Sequence, residues 1–205
     1  EITSDPESAY GHGTHVAGLI ALAAPQARLL PLRTLHPDGS GDIWPQVQAL
    51  HYAAEANADV INLSFSFAER SRLFDEAIAE VTCTVTGNAL CRRMGRTGAV
   101  VVIAAGNSGA NAREWPGAST IPGSLAVAAP GENIVSTAPG GECAAWSGTS
   151  MASPLVGGVA GLLRAANPEL RPAEVARYLS AGAHPIPERV RRRIDALGAL
   201  TYTPD

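Results

Sequence analysis

The segment GAVVVIAA, at residues 98–105, decides the fold class. It is continuously apolar and rich in β-branched residues, which is typical of a strand buried on both faces of a parallel sheet. A second apolar segment, DVINLSF at 59–65, has the same character, and amphipathic helical patterns at 43–56 and 73–81 flank it. Strands that alternate with helices predict an α/β fold with three layers and a mostly parallel sheet.

The same alternation continues toward both ends of the chain. Helical patterns cover 12–24, 151–166 and 172–179, and a short strand-like run covers 28–35. Because 205 residues suit one hydrophobic core, and no linker or internal repeat interrupts them, we predict a single domain over residues 1–205.

Composition and charge argue against two classes of function. The chain has 15 basic and 19 acidic residues, a net charge of −4, and its one arginine-rich run at 189–193 is short. A nucleic-acid partner is therefore not expected. The longest uncharged apolar runs, at 99–105 and 155–163, are too short and too rich in glycine to span a bilayer, so no membrane partner is expected either.

The motif GHGTHVAG, at 11–18, carries the first candidate for chemistry. His12 lies between two glycines at the start of a predicted helix, so its imidazole is displayed toward a sheet edge, where open α/β folds bind ligands. Two alternatives stand beside this interpretation. His12 could simply cap the helix, or it could form a metal pair with His15, although no third ligand is near in sequence.

The motif SGTSMASP, at 147–154, carries the second candidate. Ser150 lies at a predicted helix N-terminus, where free backbone N–H groups and a partial positive charge suit an oxyanion beside a nucleophile. The alternative is that Ser150 only caps the helix. Glycine costs an exposed helix about 1 kcal/mol per residue, so the run of Gly157, Gly158 and Gly161 predicts a buried helix that packs closely.

The motif AAGNSG, at 104–109, follows the clearest strand directly. Asn107 therefore emerges at the carboxyl end of a parallel strand, where its amide could donate a hydrogen bond to a developing oxyanion. The alternative is an asparagine that only shapes the turn after the strand.

In this order, the three motifs resemble those of the subtilisin-like serine peptidases. The similarity covers about residues 10–200 and extends to five further segments: PDGSG at 37–41, INLSF at 61–65, APGENIVST at 129–137, NPELRPAEVARYL at 167–179 and RIDALGAL at 193–200. The resemblance implies a subtilisin-like α/β domain, truncated at its N-terminus, that hydrolyses peptide bonds as a serine endopeptidase. It also implies a secreted or extracytoplasmic location.

The resemblance implies a role for each motif residue. His12 would be the general base and Ser150 the nucleophile, with Asn107 and the Ser150 backbone N–H forming the oxyanion hole, whereas His15 would be structural. A polypeptide substrate would add as a strand between two segments. These segments and the adjoining pocket wall comprise Gly39, Ser40 and Gly41, then Leu63, Ser64, Phe65 and Ser66, and finally Ala104, Ala105 and Gly106. Phe65 suggests an apolar subsite.

The catalytic carboxylate of the family has no clear counterpart. Only eleven residues precede His12, and Asp5, their one aspartate, falls in what resembles the loop entering the His12 helix rather than on a strand; no DTG or DSG occurs. We therefore expect the aspartate to come from outside this chain, with the N-terminal fragment or propeptide as a possible partner. We expect the isolated chain to be impaired or inactive. The alternative is an inactive homologue that binds peptides or a partner protein.

No metal or other cofactor is expected. The interval between Asn107 and Ser150 is short for the family, and Asp38 and Asp42, on a glycine-rich turn, supply too few oxygen ligands for calcium. Cys83 and Cys91 lie in a segment that is longer than the family pattern. They could close a small disulfide loop or remain buried thiols.

Overall fold

A computed structural model describes residues 10–67, 70–84, 88–94, 97–107, 127–186 and 192–204. Its helices and strands form an α/β fold, as the sequence predicts. In chain order they are α1 (His12–Ala23), α2 (Ile43–Glu55), β1 (Val60–Leu63), α3 (Arg72–Val81), α4 (Ala89–Met94), β2 (Val100–Ile103), β3 (Ile134–Ala138), β4 (Glu142–Trp146), α5 (Thr149–Ala166), α6 (Pro172–Ala181), β5 (His184–Pro185), β6 (Arg192–Arg193) and α7 (Ala196–Thr201).

The central pair of strands is parallel and buried between two layers of helices. β1 and β2 pair in register from Val60 with Val100 to Leu63 with Ile103. Val100 and Val102 face a core formed with α5, α6 and α7, whereas Val101 and Ile103 face a second core formed with α2 and α3. Since successive side chains of a strand point to opposite faces, both faces of β2 must be apolar, which explains the unbroken run of residues 98–105.

Helices α1 and α5 run in the same direction and touch closely. Gly158 of α5 lies against Ala23 of α1, and a Cβ atom at position 158 would collide with the Ala23 side chain. The prediction of a buried, closely packed helix is confirmed at this glycine. The N-termini of the two helices lie near each other, because Trp146, four residues before Ser150, stacks beside His12.

An antiparallel hairpin precedes α5 and was not predicted as strands. β3 pairs with β4 from Ile134 with Trp146 to Ala138 with Glu142, across the short turn Pro139–Gly141. Gly140 and Gly141 both have φ of 82°, a left-handed conformation that favours glycine. The hairpin ends two residues before α5, so it delivers the chain to the Ser150 helix.

The predicted strand at 28–35 is wrong, because these residues form neither strand nor helix. Leu29, Leu30 and Leu32 are exposed at 42%, 45% and 36% of their surface. A strand needs a neighbour to bond with, and within the described ranges β1 pairs with β2 alone. The segment therefore presents an apolar surface to solvent.

The disulfide that the sequence left open is present. Cys83 and Cys91 are bonded, which links the end of α3 to α4. Cys143, on β4, is an exposed free thiol. None of the helices that the structure describes combines the length and the apolar character needed to cross a bilayer.

Candidate active site

His12 is the first residue of α1, as predicted. The N-cap of the helix is Gly11, whose φ of 92° favours glycine, so His12 does not cap the helix. A Cβ atom at position 11 would press into the ring of Pro139, in the turn of the hairpin. The imidazole is half-buried. The start of α1 and the turn of the hairpin are therefore in close contact at the residue before His12.

Trp146, the last residue of β4, lies flat beside both histidines. Its ring is 4.9 Å from that of His15, at an interplanar angle of 5°, and 6.2 Å from that of His12, at 17°. Sequence reasoning missed Trp146, although an aromatic residue directly before SGTS was the available signal. The indole thus connects the start of α1 to the segment that leads into the Ser150 helix.

His15 fastens α1 to the hairpin. It is 1% exposed, and its Nε2 lies 3.1 Å from the carbonyl oxygens of both Ile134 and Ala144. Both partners are acceptors, so we assign the hydrogen to Nε2. In return, Ser136 Oγ donates to the His15 carbonyl at 2.8 Å, and Thr137 Oγ1 donates to the Thr14 carbonyl at 2.9 Å. These bonds fix the position of the His12 turn relative to the chain entering α5.

The metal-pair alternative finds no support in this geometry. The Nε2 of His15 faces two carbonyl oxygens, which leaves no place for an ion on that nitrogen. Across the ranges that the structure describes, no three His, Cys, Asp or Glu side chains gather where they could hold a metal ion.

The electrostatic surroundings of His12 favour its neutral form. Burial lowers the pKa of His12 below its ordinary value of 6.5, and the neighbouring His15 lowers it further. No carboxylate of the described residues forms an ion pair with His12. Asp5, the one aspartate ahead of it, lies outside the described residues. A neutral imidazole can accept a proton, but within the described residues no carboxylate pairs with the imidazolium that results.

Ser150 lies in the first turn of α5 and does not cap it. Gly148, with φ of 149°, holds the N-cap position. The Ser150 hydroxyl instead donates to the carbonyl oxygen of Ser64 at 3.0 Å, and the Ser64 hydroxyl donates to the Ser150 carbonyl at 2.9 Å. The two serines are thus linked by a reciprocal pair of hydrogen bonds. Asn62 Nδ2 and Ser153 Oγ complete the surroundings of the Ser64 hydroxyl, each at 2.8 Å.

Asn107 reaches across to the start of α5. Its Oδ1 accepts hydrogen bonds from the backbone N–H of Thr149 at 2.9 Å and from the Thr149 hydroxyl at 3.0 Å. A Cβ atom at Gly148 would lie 3.1 Å from Asn107 Nδ2. This long-range contact is not that of a residue which only shapes its own turn. Because Oδ1 is held by two donors, the amide group is oriented with Nδ2 beside Gly148.

The predicted substrate residues fall into three groups. Ser64 and Ala104 are buried and Ser66 and Ala105 are exposed, all just beyond the carboxyl ends of β1 and β2, where the Ala104 N–H donates to the Leu63 carbonyl at 3.0 Å. Gly106, the last of them, donates its N–H to the Thr149 hydroxyl at 3.1 Å. Of these residues, Ser64 contacts Ser150 and Gly106 contacts its neighbour Thr149.

The other two groups are placed differently. Phe65 packs edge-on against Phe67 and Phe74, with ring centroids 5.4 and 6.4 Å away, so its ring belongs to the second core. Leu63 is also buried in that core. Gly39, Ser40 and Gly41 lie in an exposed turn, which Asp38 closes by accepting from the Ser40 N–H and hydroxyl.

Comparison with protein families gives one consistent match. Residues 2–130 and 121–196 match the model of the subtilase family. The chain is 33% identical over 197 residues to M-protease of Shouchella clausii, which covers 82% of this chain and 48% of that protein. It is 33% identical to subtilisin BL of Lederbergia lenta, covering 82% of this chain and 68% of that protein.

Two further proteins broaden the comparison. An intracellular serine protease of Paenibacillus polymyxa is 34% identical over 177 residues, covering 75% of this chain and 53% of that protein. The crystal structure of a cold adapted subtilisin-like serine proteinase superimposes with a TM-score of 0.75 at 26% identity, covering 94% of this chain and 76% of that chain. The chain thus spans about half to two thirds of the length of these three relatives.

Proposed function

The chain belongs to the subtilase family, and on that basis we propose that it is the core of a serine endopeptidase that cleaves polypeptides. Ser150 is the nucleophile, His12 the general base, and Asn107 with the Ser150 backbone N–H forms the oxyanion hole. The observation that carries the proposal is the pair of hydrogen bonds from Thr149 to Asn107 Oδ1. They orient the amide donor beside the helix start that carries the nucleophile.

In the proposed reaction each of these residues has one role. Ser150 Oγ attacks the carbonyl carbon of the scissile bond while its proton passes to His12, and the carbonyl oxygen becomes an oxyanion. Asn107 Nδ2 and the N-terminal N–H groups of α5 stabilise that charge. His12 then gives its proton to the departing amine as the C–N bond breaks. Water, deprotonated in turn by His12, hydrolyses the acyl group from Ser150.

Before attack, the Ser150 hydroxyl must change its partner. It donates to the Ser64 carbonyl in this structure, whereas the reaction requires it to donate to His12. The rotation costs one hydrogen bond, on the order of 1 kcal/mol. A substrate N–H that binds the Ser64 carbonyl would offset this cost. In the proposal, residues 64–66 and 104–106 wall the pocket, and residues 39–41 and 63–65 flank the extended substrate.

The carboxylate partner of His12 is the missing element of the proposal. We propose that it lies on an N-terminal segment outside the described residues. Three observations support this: His12 forms no ion pair within the described ranges, the relatives are longer than the region matched, and Leu29, Leu30 and Leu32 are exposed. On this proposal the chain is impaired in hydrolysis as long as that carboxylate is absent, and the Cys83–Cys91 disulfide supports a location outside the cytoplasm.

The second candidate function is a peptide- or partner-binding module without catalysis. The observation that favours it is that the Ser150 hydroxyl donates its hydrogen bond to the Ser64 carbonyl oxygen, a group that cannot accept its proton. In this case the cleft would bind an extended peptide and release it uncut.

A labelling experiment tests the proposal. The chain is treated with a serine-directed fluorophosphonate, with and without a synthetic peptide of strand-forming sequence that ends in DTG, and the adduct is measured by mass spectrometry. We expect slow labelling of Ser150 that the peptide accelerates, no labelling of Ser150→Ala, and unchanged labelling of Ser180→Ala, a serine on α6. A folded protein that binds peptide substrates but never labels, with or without the added peptide, would favour the binding module.

A further inference from the structure

The contact between strand β2 and helix α5 is made mostly by apolar side chains. Val100 of β2 packs with Val156, Val159 and Leu163 of α5 in the first core. Hydrophobic contact of this kind is strong but not directional, so it does not by itself fix how far the strand reaches along the helix. Any such shift would move Asn107, four residues after the end of β2, relative to Ser150.

Polar bonds hold the strand and the helix together at the end near the candidate site. Thr149 donates its N–H and its hydroxyl to Asn107 Oδ1, and Gly106 donates its N–H to the Thr149 hydroxyl. These groups lie on exposed or half-buried residues, where water competes for each partner. These bonds orient the amide. Because water competes for them, they do not by themselves fix the position of β2 along α5.

A second set of polar bonds lies at the opposite end, around Arg164. This residue is about four helical turns after Ser150 on α5, on the order of 21 Å along the axis. It is 5% exposed and is the one charged side chain among the buried residues that the structure describes. Its Nη1 donates to Thr97 Oγ1 at 2.6 Å and to the Pro168 carbonyl at 3.0 Å, and its Nη2 donates to the Gly98 carbonyl.

The segment that Arg164 holds is itself rigid. Gly98 has φ of 94°, and a Cβ atom there would overlap the Thr82 carbonyl at the end of α3. The next residue, Ala99, donates its N–H to the Val81 carbonyl at 2.8 Å, and Val100 begins β2. The guanidinium therefore fastens α5 to a fixed point immediately before the strand that leads to Asn107.

A buried charge at this position calls for a reason beyond stability. Replacing a buried ionic group by an apolar residue of similar size is often neutral or stabilising, and residues 155–163 of the same helix are entirely apolar. An apolar residue forms no directional hydrogen bonds, so it does not fix the orientation of the segment that it contacts. The planar fork of arginine reaches several acceptors at fixed angles, which lysine, with a single nitrogen, does not reproduce.

We propose that Arg164 is a positioning residue, which sets the register of β2 against α5 and thereby holds the Asn107 amide opposite the Ser150 N–H. The inference rests on the proposed function for its catalytic consequence. Its structural consequence, a stable Thr149 to Asn107 hydrogen bond, does not depend on that function.

The structural consequence is tested by amide hydrogen exchange of the whole chain, in Arg164→Met and Arg164→Lys. We expect the Thr149 amide to exchange at least tenfold faster than in the parent protein, with less than a twofold change at Leu50, in the second core. Val175→Ala, which removes apolar contacts from the first core, is the matched control for lost stability, and Arg177→Met, on the exposed side of α6, for lost charge. Equal acceleration at Thr149 and Leu50 would overturn the proposal.

The catalytic consequence is tested by a double-mutant cycle on the rate of Ser150 labelling by a fluorophosphonate. We expect Arg164→Lys to slow labelling three- to tenfold, and less than twofold when Asn107 is already alanine, because the two residues act through one contact. The same factor in both backgrounds would overturn the inference, and the lysine variant serves if the methionine variant does not fold. If Thr149 exchange responds while Ser150 labels in no protein, the positioning stands and the proposed function fails.

Discussion

The two halves of the candidate site are built to different degrees. On the nucleophile side, Ser150, Ser64, Thr149 and Asn107 are linked by hydrogen bonds of 2.9 to 3.0 Å. On the base side, His12 has aromatic stacking and burial, and no carboxylate of the described residues pairs with it. The contrast teaches that, within the described residues, hydrogen bonds position the candidate nucleophile and amide donor, whereas stacking and burial surround the candidate base.

The sharpest way to test this contrast is to complete the base side. A DTG-type segment supplied in trans, or fused ahead of Glu1, is expected to raise peptide hydrolysis by about 10⁴-fold. In subtilisin itself, the worked case for this effect, loss of the aspartate alone lowers kcat by about 3 × 10⁴. The measurement is kcat on a chromogenic peptide, and the control is the same segment with Asn in place of its Asp. Equal activation by the two segments would show that the segment acts through folding.

The nucleophile side is tested by removing its amide donor. In the supplemented protein, Asn107→Ala is expected to lower kcat by about 10²- to 10³-fold with KM nearly unchanged, because the amide acts only on the charge of the transition state. This magnitude comes from the equivalent loss in subtilisin. Asn167→Ala, an exposed residue just after the other end of α5, is the matched control and should stay near the parent rate. A change confined to KM would mean that Asn107 binds ground-state substrate.

Removing the indole beside His12 is expected to have a smaller effect, on the base side of the candidate site. Trp146→Leu admits water to His12, so the pKa of His12 is expected to rise toward 6.5. The acid limb of the pH–rate profile should move to higher pH by the same amount. An imidazole NMR titration measures the first effect, and Trp44→Leu, exposed at 58% on α2, is the control. A lower pKa in the variant would mean that the indole stabilises the imidazolium more than it desolvates it.

The smallest expected effect is on stability. Because the pKa of His12 is lower in the folded chain than its ordinary value of 6.5, the unfolded chain binds more protons as the pH falls through that value. The contribution of His12 to the free energy of unfolding is therefore largest above pH 6.5, and stability declines as the pH drops toward the folded pKa. His12→Gln should lessen this decline between about pH 8 and pH 5.5 in urea denaturation, whereas Gln48→Ala, exposed on α2, should leave it unchanged.

The parts that the sequence predicted correctly are those governed by local signals. His12 and Ser150 begin helices because glycines precede them, and Asn107 follows a strand whose apolar run needs both faces buried. The roles assigned to these residues stay predictions, since their positions alone do not establish chemistry. The helix that the apolar spacing predicts at 43–56 was also confirmed, to within one residue.

The parts that the sequence missed depend on distant partners. Residues 28–35 have the composition of a strand, but pairing decides whether a strand forms, and no neighbour is present within the described ranges. The hairpin of β3 and β4 is the opposite case, since ECAAW has little strand propensity and pairs because its partner folds back on it. Trp146 and Arg164 likewise make contacts with residues far away in sequence, which local patterns do not reveal.

The free thiol of Cys143 makes the hairpin directly observable. The chain has three cysteines, and the other two are bonded to each other, so an exposed probe site exists on β4 without any engineering. Cys143 lies three residues before Trp146, on the strand whose Ala144 carbonyl is bound by His15. A fluorophore or spin label attached there would report in real time how firmly the hairpin sits on α1, in the same sample in which Ser150 is being labelled.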